Sequence, residues 1–288
     1  MSSEAVDAVT NSMLERAPVI CSFRTETLRQ PGLHSHNGYE VYLCAKGKGR
    51  FFAGDRMYPL AEGALFIIPP MRLHLSRPES EPFHRFVLSI EEHYWEKLLQ
   101  TDAPLADAYR SLPDDDRLLC LTPAPNNAAM LQELLLQLEH ELARHEPYAE
   151  AAVKGLLLRG LAEIARLRTG GPAPARSVSA ADVKVEQILR YFSEHYQEEL
   201  PMDEVAAKFR LSRSYMYRIF KNQTGFAPNE YVAALRLNKA KAILLRTDWP
   251  IIAVAAEVGF RDLSHFCHMF KRFTHTTPSG YRSRFGKT

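Results

Sequence analysis

Two histidines and a glutamate stand close together as H-x-H-x3-E (His34, His36 and Glu40), and a third histidine, His74, follows downstream. Three imidazoles and a carboxylate are a donor set that suits iron, nickel, manganese or zinc. On a strand, residues two apart share a face, so His34 and His36 can point inward together. Without a metal the same groups would grip a small ligand or fix a turn, and the residues alone leave those readings open. A second group lies far downstream. Arg213, Ser214, Tyr217, Arg218 and Lys221 share one face of a helical stretch, and Arg261, Leu263, Ser264, His265, His268, Lys271 and Arg272 lie outside another. Polar and basic side chains along a helix face are what the major groove of DNA accepts.

The histidines need strands to hold them. Between about Val19 and Ile90 run YEVYLCA, RFFAG, ALFIIPP and FHRFVLSI, separated by turn signals such as Pro31-Gly32, Asn37-Gly38, Gly54-Asp55 and Pro69-Pro70. Many short strands at close spacing predict a small antiparallel barrel or jelly roll. Phe23, Tyr39, Tyr42, Phe52 and Phe66 are the apolar residues expected to line a pocket inside it. From about 126 to 168 the period becomes helical, with Leu131, Leu134, Leu135, Leu138 and Leu142 forming one stripe. Glu133, Glu139, His140, Glu141 and Arg144 flank it as in a coiled-coil seam. The stripe packs either on its own barrel or on a second subunit. The stretch TGGPAPARSVSA cannot hold a core and reads as a linker, 171–181. The expected organisation is therefore α+β in two domains: 1–170, barrel followed by helices; and 182–288, all helical.

The basic faces need helices. Met202 to Phe209 is a short amphipathic helix with Asp203 and Glu204 at its positive end. Ser212 is placed to cap a second helix, and Gly225 to end it. On that helix Tyr215, Met216, Ile219 and Phe220 fall at core spacing. The pattern then repeats. A long helix from Pro228 to Arg246 leads to Ile251–Val258, a Gly259-Phe260 turn, and a helix from Leu263 to Phe273 capped by Asp262, with Phe266, Met269 and Phe270 as core. Each half is helix, tight turn, helix, with a polar outer face on its second helix.

Charge agrees with this division. From Pro201 to Thr288 there are 15 Lys and Arg against 6 Asp and Glu, a balance of +9, so with the chain at +2 the remainder carries −7. Cys21, Cys44, Cys120 and Cys267 form no CxxC pair and read as buried free thiols, not a zinc ribbon or disulfide framework. The sequence contains no apolar run long enough to span a membrane and no apolar signal core, which predicts a cytoplasmic protein.

Residues 183–285 resemble the AraC-type regulators. The likeness rests on Ala206, Leu211-Ser212, Phe220-Lys221, Gly225, Arg236-Leu237, Ala240, Ala255, Val258-Gly259-Phe260, Phe266, Phe270-Lys271, Pro278 and Tyr281-Arg282. His275 departs from it, standing where the family has Gly. The resemblance implies a sequence-specific, double-stranded DNA-binding transcription regulator, not an enzyme, acting as a homodimer and with RNA polymerase as a further partner. It implies base reading by Ser214, Tyr217, Arg218, Leu263, Ser264 and His268, and phosphate contacts by Arg213, Lys221, His265, Lys271 and Arg272. The spacing of His34, His36, Glu40, Gly47, Gly63, Pro69 and His74 is similar to the cupin signature, with Met71 in place of Gly and Pro78 in place of Asn. That likeness implies a cupin-like effector domain in which His34, His36, Glu40 and His74, with Tyr39, Tyr42 and Phe52, hold a sugar or related metabolite. In metal-binding cupins the same four positions hold a divalent metal, which keeps a metal-dependent cupin enzyme fused to a DNA reader as the rival reading.

Overall fold

The computed structural model describes residues 6–25, 32–110, 112, 119–144, 146–168 and 179–286. In chain order the elements are α1 (Val6–Leu14), β1 (Val19–Arg24), β2 (Gly38–Lys46), β3 (Gly49–Ala53), β4 (Arg56–Leu60), β5 (Leu65–Ile68), β6 (His74–Pro78), β7 (His84–Glu91), α2 (Glu92–Leu99), α3 (Ala103–Tyr109), β8 (Leu119–Leu121), α4 (Pro125–Ala143) and α5 (Ala149–Arg168). The C-terminal part follows with α6 (Ala180–His195), α7 (Met202–Lys208), α8 (Arg213–Thr224), α9 (Pro228–Arg246), α10 (Ile251–Glu257), α11 (Leu263–Thr274) and α12 (Pro278–Phe285). Most of the expected linker lies outside the described residues. Its last residues open α6, where Ser179 and Asp182 form a reciprocal capping box.

The strands form two antiparallel sheets, a large one ordered β1-β7-β2-β5-β8 and a small one ordered β4-β3-β6. They pack face to face. Alternate side chains of β2, β5 and β7 meet those of β3 between the sheets, where Tyr42, Cys44, Phe51, Phe66 and Val87 are buried. The other face of the large sheet is covered by α4 and α5. There Leu131, Leu134, Leu135 and Leu138 bury against Val41, Leu65 and Leu88. Of the two readings of the Leu stripe, the first is what this chain shows: the stripe is buried on its own barrel. Glu139, expected to flank a coiled-coil seam, accepts from Phe23 N at 2.8 Å.

The small sheet turns its outer face to the C-terminal helices. Phe52, Met57, Leu73 and Leu75 share one core with Val185, Ile188 and Phe192 of α6, Val205 of α7, and Met216 and Phe220 of α8. A separate core binds Leu237, Ala240 and Leu244 of α9 to Val254, Phe266 and Phe270. Among the described residues, no helix is long and apolar enough to cross a membrane.

Candidate nucleic-acid interface and barrel site

Both outer helices are capped as their sequences dictate. Ser212 accepts from Tyr215 N at the start of α8, and Asp262 accepts from His265 N at the start of α11. Gly225 ends α8 at φ 87°, and His275 ends α11 at φ 59°, both left-handed. Each short first helix precedes its partner through a tight turn: Arg210 is left-handed in one unit and Gly259 in the other.

Ser214, Arg218, Leu263, Ser264 and His268 are all exposed, as base contacts require, and so are Arg213, Lys221, His265, Lys271 and Arg272. Tyr217 is half-buried against the first unit's core. Tyr215, expected in that core, is 41% exposed; its ring lies 5.1 Å from the Arg218 guanidinium. Its place in the helix turns it outward, and Met216, Ile219 and Phe220 fill the interior without it. Arg213 is drawn back toward α7 by Asp203 at 3.0 Å.

In the barrel, β2 alternates: Glu40, Tyr42 and Cys44 face between the sheets, whereas Tyr39, Val41 and Leu43 face the helices. Glu40 is buried. Its Oε2 lies 3.0 Å from His36 Nε2, and its Oε1 lies 3.7 Å from His74 Nε2. His36 Nδ1 stands 3.0 Å from Gly38 O, and His74 Nδ1 stands 2.8 Å from Arg72 O. With each Nδ1 set on a carbonyl oxygen, each Nε2 is turned toward the carboxylate. One donor atom from each of His36, Glu40 and His74 lies within 4.8 Å of the others, so these three fit a divalent metal.

His34 is buried beside them, its ring 4.2 Å from that of His74, but it stands outside the converging three. It pairs with His74 through reciprocal backbone bonds of 3.1 and 2.8 Å, which fix the histidine segments together. Burial pulls its imidazole well below the usual range, and His74 adds to the effect. For Glu40, burial pushes the carboxyl up, but hydrogen bonds and charge from His36 and His74 hold it well below the usual carboxylate range.

Three residues expected to line the pocket lie elsewhere. Tyr39 stacks on Trp95 at 4.3 Å under the helices, Phe23 packs on Phe86 at 4.6 Å, and Phe52 enters the core shared with the C-terminal helices. Each lies on the strand face that points away from the barrel interior. Tyr42 and Phe66 are inside, where Phe51 stacks on Phe66 at 4.4 Å. Sequence reasoning missed Arg85, which is buried on β7. It also missed Ser35, Asn238 and Lys241, all buried where α9 meets the barrel. The signal for the last two was present: Tyr231, Leu235, Asn238 and Lys241 recur at core spacing along α9, so two polar groups sit on an apolar stripe. All four cysteines are free, with Cys44 buried and the others half-buried. Burial pushes the Cys21 and Cys44 thiols up to about 12.

Comparison with known proteins agrees with both halves of this picture. A model of an AraC-like ligand binding domain matches residues 18–161, and a model of a helix-turn-helix domain matches residues 205–284. The chain is similar to the HTH-type transcriptional activator RhaS of Klebsiella pneumoniae (strain 342), 26% identical over 258 residues that cover 86% of each chain. It is also similar to the uncharacterized HTH-type transcriptional regulator YfiF of Bacillus subtilis (strain 168), 26% identical over 264 residues, 88% of this chain and 79% of that one. Among solved structures, an apo form of ToxT from Vibrio cholerae aligns over 93% of this chain and 98% of its own, at 14% identity and a TM-score of 0.39.

Proposed function

Because the chain belongs to the AraC-type transcription regulators, we propose that a small molecule held in its barrel controls how its two helix-turn-helix units engage DNA. The observation that carries the DNA half is the exposure of Ser214, Arg218, Ser264 and His268 on two outer helices, with Lys221, Lys271 and Arg272 beside them. In this reading residues 1–170 sense and dimerise, and residues 182–288 read DNA. A homodimer doubles the DNA contacts and so raises avidity. Sedimentation of the intact chain tests the dimer directly.

For the effector, the family resemblance points to a sugar or related metabolite, and the pairing of aromatic walls with polar His and Glu anchors supports it. A second reading has a specific observation behind it. His36, Glu40 and His74 converge as metal ligands do, with the buried Phe51 ring stacked beside His74. A divalent transition metal held there would supply positive charge between the carboxylate and the two imidazoles, an input requiring little room. The relatives named above are transcriptional regulators, so a metal here is read as a signal and not as the centre of an enzyme.

The test is a melting-temperature screen of the intact chain with a sugar panel and with Zn(II), Ni(II), Mn(II) and Fe(II), each with and without chelator. A ligand that binds only the folded state raises the midpoint. A sugar shift that survives chelator supports the metabolite reading, and a metal shift lost in His36→Ala supports the ion. Saturating effector that leaves DNA affinity unchanged sinks the control mechanism. The intact chain is used because the small sheet shares its core with the DNA-binding helices, so an isolated barrel would bare Phe52 and Leu75.

A further inference from the structure

Resting on the reading that the inner cluster is the input site, we propose that a buried polar knot of Ser35, Asn238 and Lys241 carries the state of that cluster to the DNA-binding helices. Ser35 stands between His34 and His36. The imidazoles enter the barrel, and the serine side chain leaves it to meet α9. Lys241 Nζ donates to Ser35 O at 3.1 Å and to Ser35 Oγ at 2.6 Å. The Ser35 hydroxyl donates to Asn238 Oδ1. Asn238 Nδ2 then donates to Met71 O at 2.9 Å.

Helix α9 therefore grips both segments that carry the cluster. One route runs from Glu40 through His36 and its neighbour Ser35 to Lys241. The other runs from Glu40 through His74, whose Nδ1 is set on Arg72 O, to the adjoining Met71 carbonyl and Asn238. Met71 N closes the loop by donating to His36 O at 2.8 Å. Ser35 and Lys241 are fully buried, and Asn238 is 6% exposed. A polar group there has no water to turn to, so any movement of the histidine segments must move α9 or break a bond. Met71 stands at φ 60°, a region that non-glycine residues occupy only where the surroundings hold them, and its carbonyl is the one Asn238 takes. α9 also joins the two helix-turn-helix units, so its displacement resets both recognition helices at once.

A knot that merely glued the domains would make the same contacts, and a double-mutant cycle in the full chain separates the two cases. Glu40→Gln perturbs the cluster, and Lys241→Met cuts the knot while keeping the length of the side chain. Two readouts are taken: affinity for a duplex that the wild-type chain selects from a random pool, and amide exchange across Pro228–Arg246. Glu40→Gln is expected to change each by about tenfold, within the usual range of coupling between sites. In the Lys241→Met background that change is expected to vanish. Independent, additive effects would overturn the proposal, as would a Glu40→Gln chain whose α9 exchanges like wild type. If the wild-type chain selects no duplex, the DNA-binding reading fails, while the exchange arm still decides the knot. If Lys241→Met does not melt cooperatively, Ser35→Ala, which removes a single hydroxyl, takes its place in the cycle.

Discussion

The first helix-turn-helix unit, α7 and α8, shares its core with the small sheet of the barrel, whereas the second, α10 and α11, closes its core on α9 and α12. Around the first unit the barrel adds polar bonds: Arg77 donates to carbonyls near the end of α8, Tyr231 donates to Gly54 O, and Met57 N donates to Glu186. The second unit meets the N-terminal domain at an exposed contact, where Arg284 reaches Glu15 and Ser12. Two copies of one motif therefore answer to different neighbours. A change in the barrel acts on the first unit directly and reaches the second through α9.

That comparison can be broken at its cores. Phe220→Ala and Phe270→Ala each remove a fully buried ring, at a cost of about 3–5 kcal/mol apiece. Trp95, stacked on Tyr39 beneath the barrel, reports on the N-terminal domain. Its fluorescence transition is expected to shift strongly in Phe220→Ala and little in Phe270→Ala. Equal shifts would mean that the second unit is as firmly tied to the barrel as the first. Next in size is DNA reading. Arg218→Ala is expected to cost about 1–3 kcal/mol and to relax one base position, while Lys271→Ala weakens all sequences alike. Equal losses for Arg218→Ala on matched and mismatched duplexes would remove it from the base readers. Smaller again is Arg77→Ala, which frees Asn222 O and Gln223 O at the end of α8. It is expected to lower stability by about 1 kcal/mol, read from the denaturant midpoint, because these carbonyls can turn to water.

The C-terminal helices were legible because their ends carry local chemistry. Ser212, Gly225, Asp262 and the Pro228–Arg246 span stand where capping rules put them. The barrel was legible as strands but not as faces. Both sides of the large sheet are covered, so β2 reads as one apolar run and hides which residues look inward. Adjacent strand residues cannot share a face, so Tyr39 could not join Glu40, nor Phe52 join Phe51, in one pocket. The short strand β8 carries too little pattern to be seen. The His and Glu set was legible as a cluster, but the exclusion of His34 from its centre depends on how the backbone bridge to His74 turns the ring.

The smallest expected effect is also the most local test of the comparison, since the two units end in one construction. Thr224 Oγ1 donates to Phe220 O and Thr274 Oγ1 to Phe270 O, each at 2.8 Å, and Pro228 and Pro278 then open the next helices. Between threonine and proline stands Gly225 in one unit and His275 in the other, both left-handed. A Cβ on Gly225 would meet nothing closer than Arg77 Nη1 at 4.0 Å, so Gly225→Ala carries a conformational penalty without a clash. That penalty is about 1 kcal/mol. His275→Gly reverses the sign and is expected to stabilise by about 0.5 kcal/mol, because relief at the left-handed cap exceeds the added freedom of the unfolded chain. Thermal melts followed at Trp95 and at Trp249, which stands half-exposed beside the second unit, decide where each change is felt. Gly225 adjoins the carbonyls that Arg77 holds, so its loss is expected at Trp95 as well, whereas the gain at His275 stays at Trp249. A His275→Gly gain that appeared equally at Trp95 would show that α9 binds the second unit to the barrel as tightly as the shared core binds the first.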